Sequence, residues 1–302
     1  MTMHDDQVVV TVETVRRLVA QQLPRLADLP VRELVTSGTV NAIFRIGEDL
    51  AARFPLRAQE PAEIEAWLEA EAAAMTELAA ATSCPTPEPV AIGQPGHGYP
   101  MPWSVQTWLP GDDATVADPA GSTGFAEDLA RLIGDLRAVD TRGRRFSGGG
   151  RGGHLTDHDE WLEVCFTNSE DLLDVPWLRA MWAELRALPE VDADVMCHGD
   201  LTPPNVLVRG GRLAGVLDGG GFAAADPALD LVSAWHLLDD GQRSILRSRL
   251  GCSEVQWRRG MAWAFQQAMG LVWYYVESNP GMCAVGRRTL ARLFDEDVLK
   301  RR

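Results

Sequence analysis

The chain predicts an α+β protein of two lobes, a small N-terminal one built on an antiparallel sheet and a large C-terminal one that is mostly helical. Its 302 residues are 46% hydrophobic, enough to bury a substantial core across two lobes. Alternating apolar runs crowd into the N-terminal part and return once, around the Gly-Gly pair at 210–211; elsewhere the apolar residues recur at helical spacing. The boundary falls near Thr107, giving lobes of residues 1–107 and 108–302.

A helix from Thr11 to about Leu26 opens the small lobe. Thr36-Ser37-Gly38-Thr39-Val40-Asn41 reads as a turn leading into a strand at residues 42–46, with a second strand at 50–54. Residues 61–81 have the composition of a helix, and Pro61 suits its first turn. Ile64, Trp67, Leu68, Met75 and Leu78 fall on one face of it, with Glu71 in the middle of that stripe. A carboxylate facing a core is costly unless paired. Its best cationic partner is Arg53 in the preceding strand, either as a purely structural ion pair or as part of a ligand site. Residues 101–109 alternate like a strand and break at Pro110-Gly111, the pattern of an edge strand ending in a turn.

Helical patterns fill most of the remainder, at residues 125–139, 160–172, 177–188, 229–238, 254–278 and 284–299. Gly148-Gly149-Gly150-Arg151-Gly152-Gly153 marks a flexible loop among them. His154, Asp157, His158, Asp159 and Glu160 follow it closely, but nothing repeats at a metal-ligand spacing. A solvated loop running into an acid-capped helix is the better reading. Trp263, Phe265, Met269, Val272, Trp273 and Tyr274 surround much of one helix, as in a buried core element rather than the wall of an apolar pocket.

Chemistry-bearing residues concentrate in His198-Gly199-Asp200-Leu201-Thr202-Pro203-Pro204-Asn205 and, past a hairpin, in Asp218. Residues 206–208 and 213–217 are short apolar runs on either side of Arg209-Gly210-Gly211-Arg212, the pattern of a tight hairpin. With the glycines as the turn, Arg209 pairs with Arg212 and, counting outward, Asn205 falls opposite Val216. Alternation then sends Asn205, Val216 and Asp218 to one face, and a diagonal pair across a hairpin lies roughly 7–8 Å apart. A hard cation fits between two such oxygen donors, since Mg²⁺ binds oxygen at about 2.0–2.1 Å and keeps waters and phosphates in its shell. Asp200 bends over the same point from the preceding turn. A carboxylate to receive a hydroxyl proton, with an amide and a second carboxylate to hold the metal, is what phosphoryl transfer requires.

These residues, with Val216-Leu217-Asp218 and Asp226-Pro227-Ala228-Leu229-Asp230-Leu231 behind them, resemble the aminoglycoside phosphotransferase family, protein-kinase-like enzymes that phosphorylate antibiotics, choline and other small molecules. The resemblance implies a bilobal protein-kinase-like fold, ATP or GTP with Mg²⁺ as cofactors, and transfer of the γ-phosphate to a hydroxyl of a small molecule. It casts Asp200 as the catalytic base, Asn205 and Asp218 as metal ligands, and His198 as the brace of the loop. It also casts Arg53 and Glu71 as the ion pair that reaches the α and β phosphates. The usual cation there is Lys, whereas the single lysine of this chain is Lys300. Arginine keeps the charge but replaces a compact ammonium with a planar fork. By the same resemblance Ser37, Gly38 and Asn41 belong to a phosphate loop, and the Thr107 carbonyl and Leu109 amide meet the adenine edge. No G-x-x-x-x-G-K-[ST] stretch is present, which excludes the commonest other route to ATP.

A net charge of −15 argues against nucleic acid and anionic membrane as partners and favours a cationic acceptor. An antibiotic of the aminoglycoside type, phosphorylated to give resistance, is the leading expectation. Choline, homoserine, a sugar or a macrolide as acceptor are the alternatives, as is a kinase-like binding module without turnover. Asp157, Asp159, Glu160, Glu277, Asp295 and Glu296 are available for an acidic substrate groove, although acidic surface is also common in soluble proteins that bind no cation. The cysteines Cys84, Cys165, Cys197, Cys252 and Cys283 are scattered and form no C-x-x-C. They read as reduced residues of a cytoplasmic protein, and no apolar run approaches a bilayer span. Cys197 is poorly placed as a nucleophile for His198, because adjacent strand residues point to opposite faces.

Overall fold

The computed structural model describes residues 8–34, 41–148, 151–190 and 193–294. Two units divide the chain, one of residues 1–80 with 85–110 and the other of residues 81–84 with 111–302.

In the first unit, helix α1 (Val12–Gln22) starts at Thr11, whose hydroxyl accepts the Thr14 amide. It stops short of Leu26 because Pro24 cannot continue an α-helix, and Pro24–Leu26 closes as a 3-10 turn. Strands β1 (Val31–Leu34), β2 (Asn41–Ile46), β3 (Leu50–Pro55), β4 (Pro89–Gly93) and β5 (Trp103–Thr107) make one antiparallel sheet in the order β1-β2-β3-β5-β4. Alternation puts Phe44, Phe54 and Trp103 on one face of it. All three are fully buried; Phe54 stacks on Trp103 at 5.0 Å and meets Phe44 edge-on at 5.5 Å. Gly93 lets the indole lie flat, since a Cβ there would come within 2.1 Å of Trp103 Cε2. Gly93→Ala is therefore expected to cost about 1–3 kcal/mol of stability, as overpacked cores do. A lower urea midpoint at unchanged m-value is the measurement.

Helix α2 (Pro61–Ala81) buries Ile64, Leu68, Glu71, Met75 and Leu78, a regular three-and-four spacing. Trp67 corrects the expected stripe: it is 39% exposed, because a residue lies about 100° round the helix from its neighbour Leu68.

The second unit is largely helical, with α3 (Thr123–Arg137), α4 (Asp159–Asn168), α5 (Val175–Leu185), α6 (Val232–Leu237), α7 (Asp240–Leu250), α8 (Glu254–Tyr274) and α9 (Pro280–Leu293). Helix α8 is its centre: α9, α4, α5 and α6 all pack against it, and Trp263, Phe265, Met269 and Val272 along it are buried. Tyr274 at its end is half exposed and belongs to the surface. The helix stops there, four residues before the expected end, and α9 starts where the Asn279 side chain accepts the Met282 amide at 3.2 Å. Helix α7 has no counterpart among the expected elements, because it buries only Leu246 and so shows no apolar period. Short strands thread between the helices: β6 (Asp112–Asp113) beside β8 (Val206–Arg209) and β9 (Arg212–Val216), and β7 (Val195–Cys197) beside β10 (Ala223–Ala225). Among the described residues no helix is long and apolar enough to cross a membrane.

Candidate active site

The β8–β9 hairpin turns at Gly210 and Gly211, whose φ values of 56° and 71° are those of a turn that matches the twist of its strands. Arg209 faces Arg212, as the spacing predicts. Asn205 does not face Val216. Strand β9 carries one residue, Ala214, outside the pairing between Leu213 and Gly215, so Val206 takes the place opposite Val216. Plain alternation therefore does not assemble the site; two departures from strand geometry do. Pro203–Asn205 forms a 3-10 turn, and Asp218 takes left-handed backbone at φ 60° and ψ 41°. Between them the Leu217 amide donates to the Asn205 carbonyl at 2.8 Å, which brings the residue before Asp218 against Asn205.

His198 joins the two segments. Its ring is buried, with Nε2 at 2.9 Å from the Leu217 carbonyl and Nδ1 at 3.3 Å from the Asp200 amide. Those partners assign the proton to Nε2, leaving Nδ1 to accept. The backbone beneath is held by Asp230, whose carboxylate accepts the His198 and Gly199 amides at 2.8 Å each. Burial pushes the Asp230 carboxyl above the usual range, against the pull of His198 and of those two amides. Behind it Asp226 Oδ2 accepts Arg259 Nε at 2.9 Å and Trp263 Nε1 at 3.0 Å, while its Oδ1 accepts the Ala228 amide at 2.8 Å.

On this frame the Asn205 carboxamide nitrogen donates to Asp200 twice, to Oδ2 at 3.0 Å and to the carbonyl at 3.1 Å. Such a pose commits the nitrogen and leaves the carboxamide oxygen as the donor toward a cation. Asp200 Oδ1 is paired with Arg151. Cys197, next in the chain to His198, is no nucleophile: burial first, then nearby carboxylates, raise its thiol well above the ordinary value.

The first unit carries the other predicted constellation. Arg53 Nη1 lies 3.4 Å from Glu71 Oε2, with both side chains little exposed. Asn41 is buried at the head of β2, paired with Pro55. The Thr107 amide and hydroxyl are both engaged with Glu88, at 2.9 and 2.8 Å, and Leu109 is half-buried two residues on. Ser37 and Gly38 lie outside the described residues.

The acidic residues considered for a substrate groove do not form one kind of group. Asp159 is already committed to the fold, accepting Arg186 Nε at 2.8 Å and Trp182 Nε1 at 2.9 Å. Burial alone would raise its carboxyl, but those donors hold it below the usual range. Asp157 accepts the His154 amide at 3.2 Å, which makes it part of a turn. Glu160 and Glu277 are exposed, and Asp295 and Glu296 lie outside the described residues. Sequence reasoning gave no role to Arg151, Asp226, Asp230 or Arg259. The Asp-x-x-x-Asp spacing at 226–230 was a signal for two of them, whereas a lone arginine inside a glycine run carried none.

Residues 31–263 match the model described as the phosphotransferase enzyme family. A curated relative, an aminoglycoside 3'-phosphotransferase of Streptomyces fradiae, is 44% identical over 78 residues, or 23% of this chain and 29% of that protein. The chain thus matches under a third of that relative's length. Among solved structures, the GDP complex of an aminoglycoside 2'-phosphotransferase superposes with a TM-score of 0.66 at 16% identity, covering 94% of this chain and 98% of the other. A macrolide 2'-phosphotransferase of Brachybacterium faecium gives 0.63 at 21% identity, again over 94% and 98%. These likenesses place the fold among kinase-like phosphotransferases.

Proposed function

From the premise that the chain belongs to the phosphotransferase enzyme family, we infer that it transfers the γ-phosphate of ATP or GTP, with Mg²⁺, to a hydroxyl of a small molecule, and that this acceptor is an antibiotic of the aminoglycoside type. One observation carries the reading. Asp200 is hydrogen-bonded to Asn205 on a loop that His198 ties to the residue before Asp218.

The donor set suits Mg²⁺. Asn205 and Asp218 offer hard oxygens only, and among the described residues no group of three or more His, Cys, Asp and Glu is gathered to hold a metal. A site with few protein ligands is what an ion sharing its shell with phosphates and water needs. When bound, the ion would neutralise charge on the transferring phosphoryl group. Asp200 receives the proton of the attacking hydroxyl. Arg53, steadied by Glu71, is the cation for the nucleotide phosphates, and a guanidinium contacts them through a planar fork rather than at a point.

The aminoglycoside assignment rests on the Streptomyces fradiae relative and on the net charge of −15. A macrolide is the second reading, favoured by exposed Trp161, Val164, Tyr274 and Val276 on and just after α4 and α8. Incubation with ATP, Mg²⁺ and either kanamycin, gentamicin, erythromycin, choline or homoserine, followed by mass spectrometry of the acceptor, tests both. Phosphorylated kanamycin or gentamicin is expected; product from choline or homoserine alone would remove the antibiotic assignment and leave the chemistry. Excess EDTA should stop transfer and added Mg²⁺ should restore it. Transfer that persists in EDTA would contradict the role given to Asn205 and Asp218.

A further inference from the structure

Arg151 is the one element of the site that the proposed chemistry leaves unexplained. Both oxygens of the Asp200 carboxylate are occupied, Oδ2 by the Asn205 carboxamide and Oδ1 by the Arg151 guanidinium. The Asn205 contact belongs to the loop's own hydrogen bonding. Oδ1 is the oxygen that the loop's own bonding leaves to an acceptor hydroxyl, and the guanidinium competes for its lone pairs.

The arginine is set in place by its neighbours. Gly152, the next residue, is buried, and its carbonyl is 2.9 Å from Nε2 of His158, itself buried. A Cβ on Gly152 would come within 2.4 Å of the Phe146 ring. Phe146 is in turn anchored through its amide to Asp194 Oδ2 at 2.8 Å. Glycine is required where backbone lies this close to a ring. Tyr275, at the end of α8, feels both charges: burial chiefly raises its hydroxyl, then Tyr274, with Arg151 lowering it and Asp200 raising it.

We propose that Arg151 is a specificity-determining residue which denies the catalytic carboxylate to water and yields it to a bound acceptor. This rests on the phosphotransferase reading above. In the reaction suppressed, a water oxygen bonds to the γ-phosphorus, the bond from that phosphorus to the β–γ bridging oxygen breaks, and the electron pair leaves with ADP. The water proton passes to Asp200, and the products are ADP and inorganic phosphate. With Arg151 on Oδ1, water competes poorly for the Asp200 carboxylate. An organic acceptor, held by contacts of its own, displaces the guanidinium. The pair is suited to that exchange, because side chains 38% and 32% exposed make an ion pair weak enough to open.

The test measures ADP and phosphate release from Mg-ATP with no acceptor present, in the wild-type chain, Arg151→Ala, Arg151→Lys and Gly152→Ala. Removing the guanidinium is expected to raise release about two- to fivefold, the competition one exposed ion pair can supply. Arg151→Lys, which keeps the charge but not the planar fork, should rise less than Arg151→Ala. Gly152→Ala, which keeps the arginine but displaces its backbone, should rise with Arg151→Ala. Adding Asp200→Asn to Arg151→Ala should remove the excess. Structural damage alone lowers release, so a rise is not its signature, and a nucleotide-dependent thermal shift confirms that each variant is folded. Release by folded Arg151→Ala at or below wild type, or an excess that survives loss of the carboxylate, overturns the proposal. Wild-type protein that neither binds nucleotide nor phosphorylates any acceptor overturns instead the phosphotransferase reading, so the two failures are distinguishable.

Discussion

Asp200→Asn is expected to lower turnover with the acceptor roughly 100- to 10,000-fold, the contribution of a well-placed general base, while nucleotide affinity stays nearly unchanged. The substitution keeps the shape of the side chain. Its carboxamide oxygen still accepts from Asn205 Nδ2, and the backbone bonds of residue 200 to His198 and Thr202 do not depend on the side chain at all. What disappears is the ability to take a proton, together with the negative charge that pairs with Arg151. Steady-state kinetics with nucleotide binding measured separately distinguishes this from collapse of the site, because lost geometry would weaken the nucleotide too. A fall of less than about tenfold would mean that the hydroxyl proton leaves by another route.

Arg259→Leu should produce the largest loss of stability, roughly 3–5 kcal/mol, because it removes one partner of a buried ion pair and strands the other. Arg259 and Asp226 have side chains only 4% and 8% exposed. Arg259 also donates through Nη1 to the Leu188 and Pro189 carbonyls at 3.3 and 3.1 Å, so the truncation leaves those acceptors unpaired as well. The effect should reach the chemistry. Asp226 opens the segment that delivers Asp230 beneath His198 and Gly199, so hydrogen exchange at those two amides is expected to quicken in the folded variant. Denaturant unfolding gives the stability change. A cost below about 1 kcal/mol would show that the fold does not lean on this pair.

What could be read in advance follows a physical division. Helix α2 was legible because five buried positions recur at helical spacing, and the hairpin because two glycines between short apolar runs suit a tight turn. Arg53 was the best candidate partner for Glu71, since a carboxylate in an apolar stripe demands a cation, and the two lie 3.4 Å apart. Three things stayed hidden. Helix α7 buries a single large residue and leaves no period to detect. The unpaired Ala214 looks like any small strand residue, yet it shifts every partner beyond it by one. The contacts of Arg151, Asp226 and Asp230 join residues distant in the chain, and such contacts appear only when helices and loops are folded together.

The imidazole of His198 has a further consequence. Because one ring grips the amide of Asp200 and the carbonyl preceding Asp218, a shift in either is felt by the other. The two segments are thereby coupled, so a substitution that moves one moves the other. Adaptation to a new acceptor is expected from residues outside this pairing, such as the exposed Trp161 of α4 and Tyr274 of α8. On the function proposed above, a chain built this way can change what it modifies while the reaction stays the same.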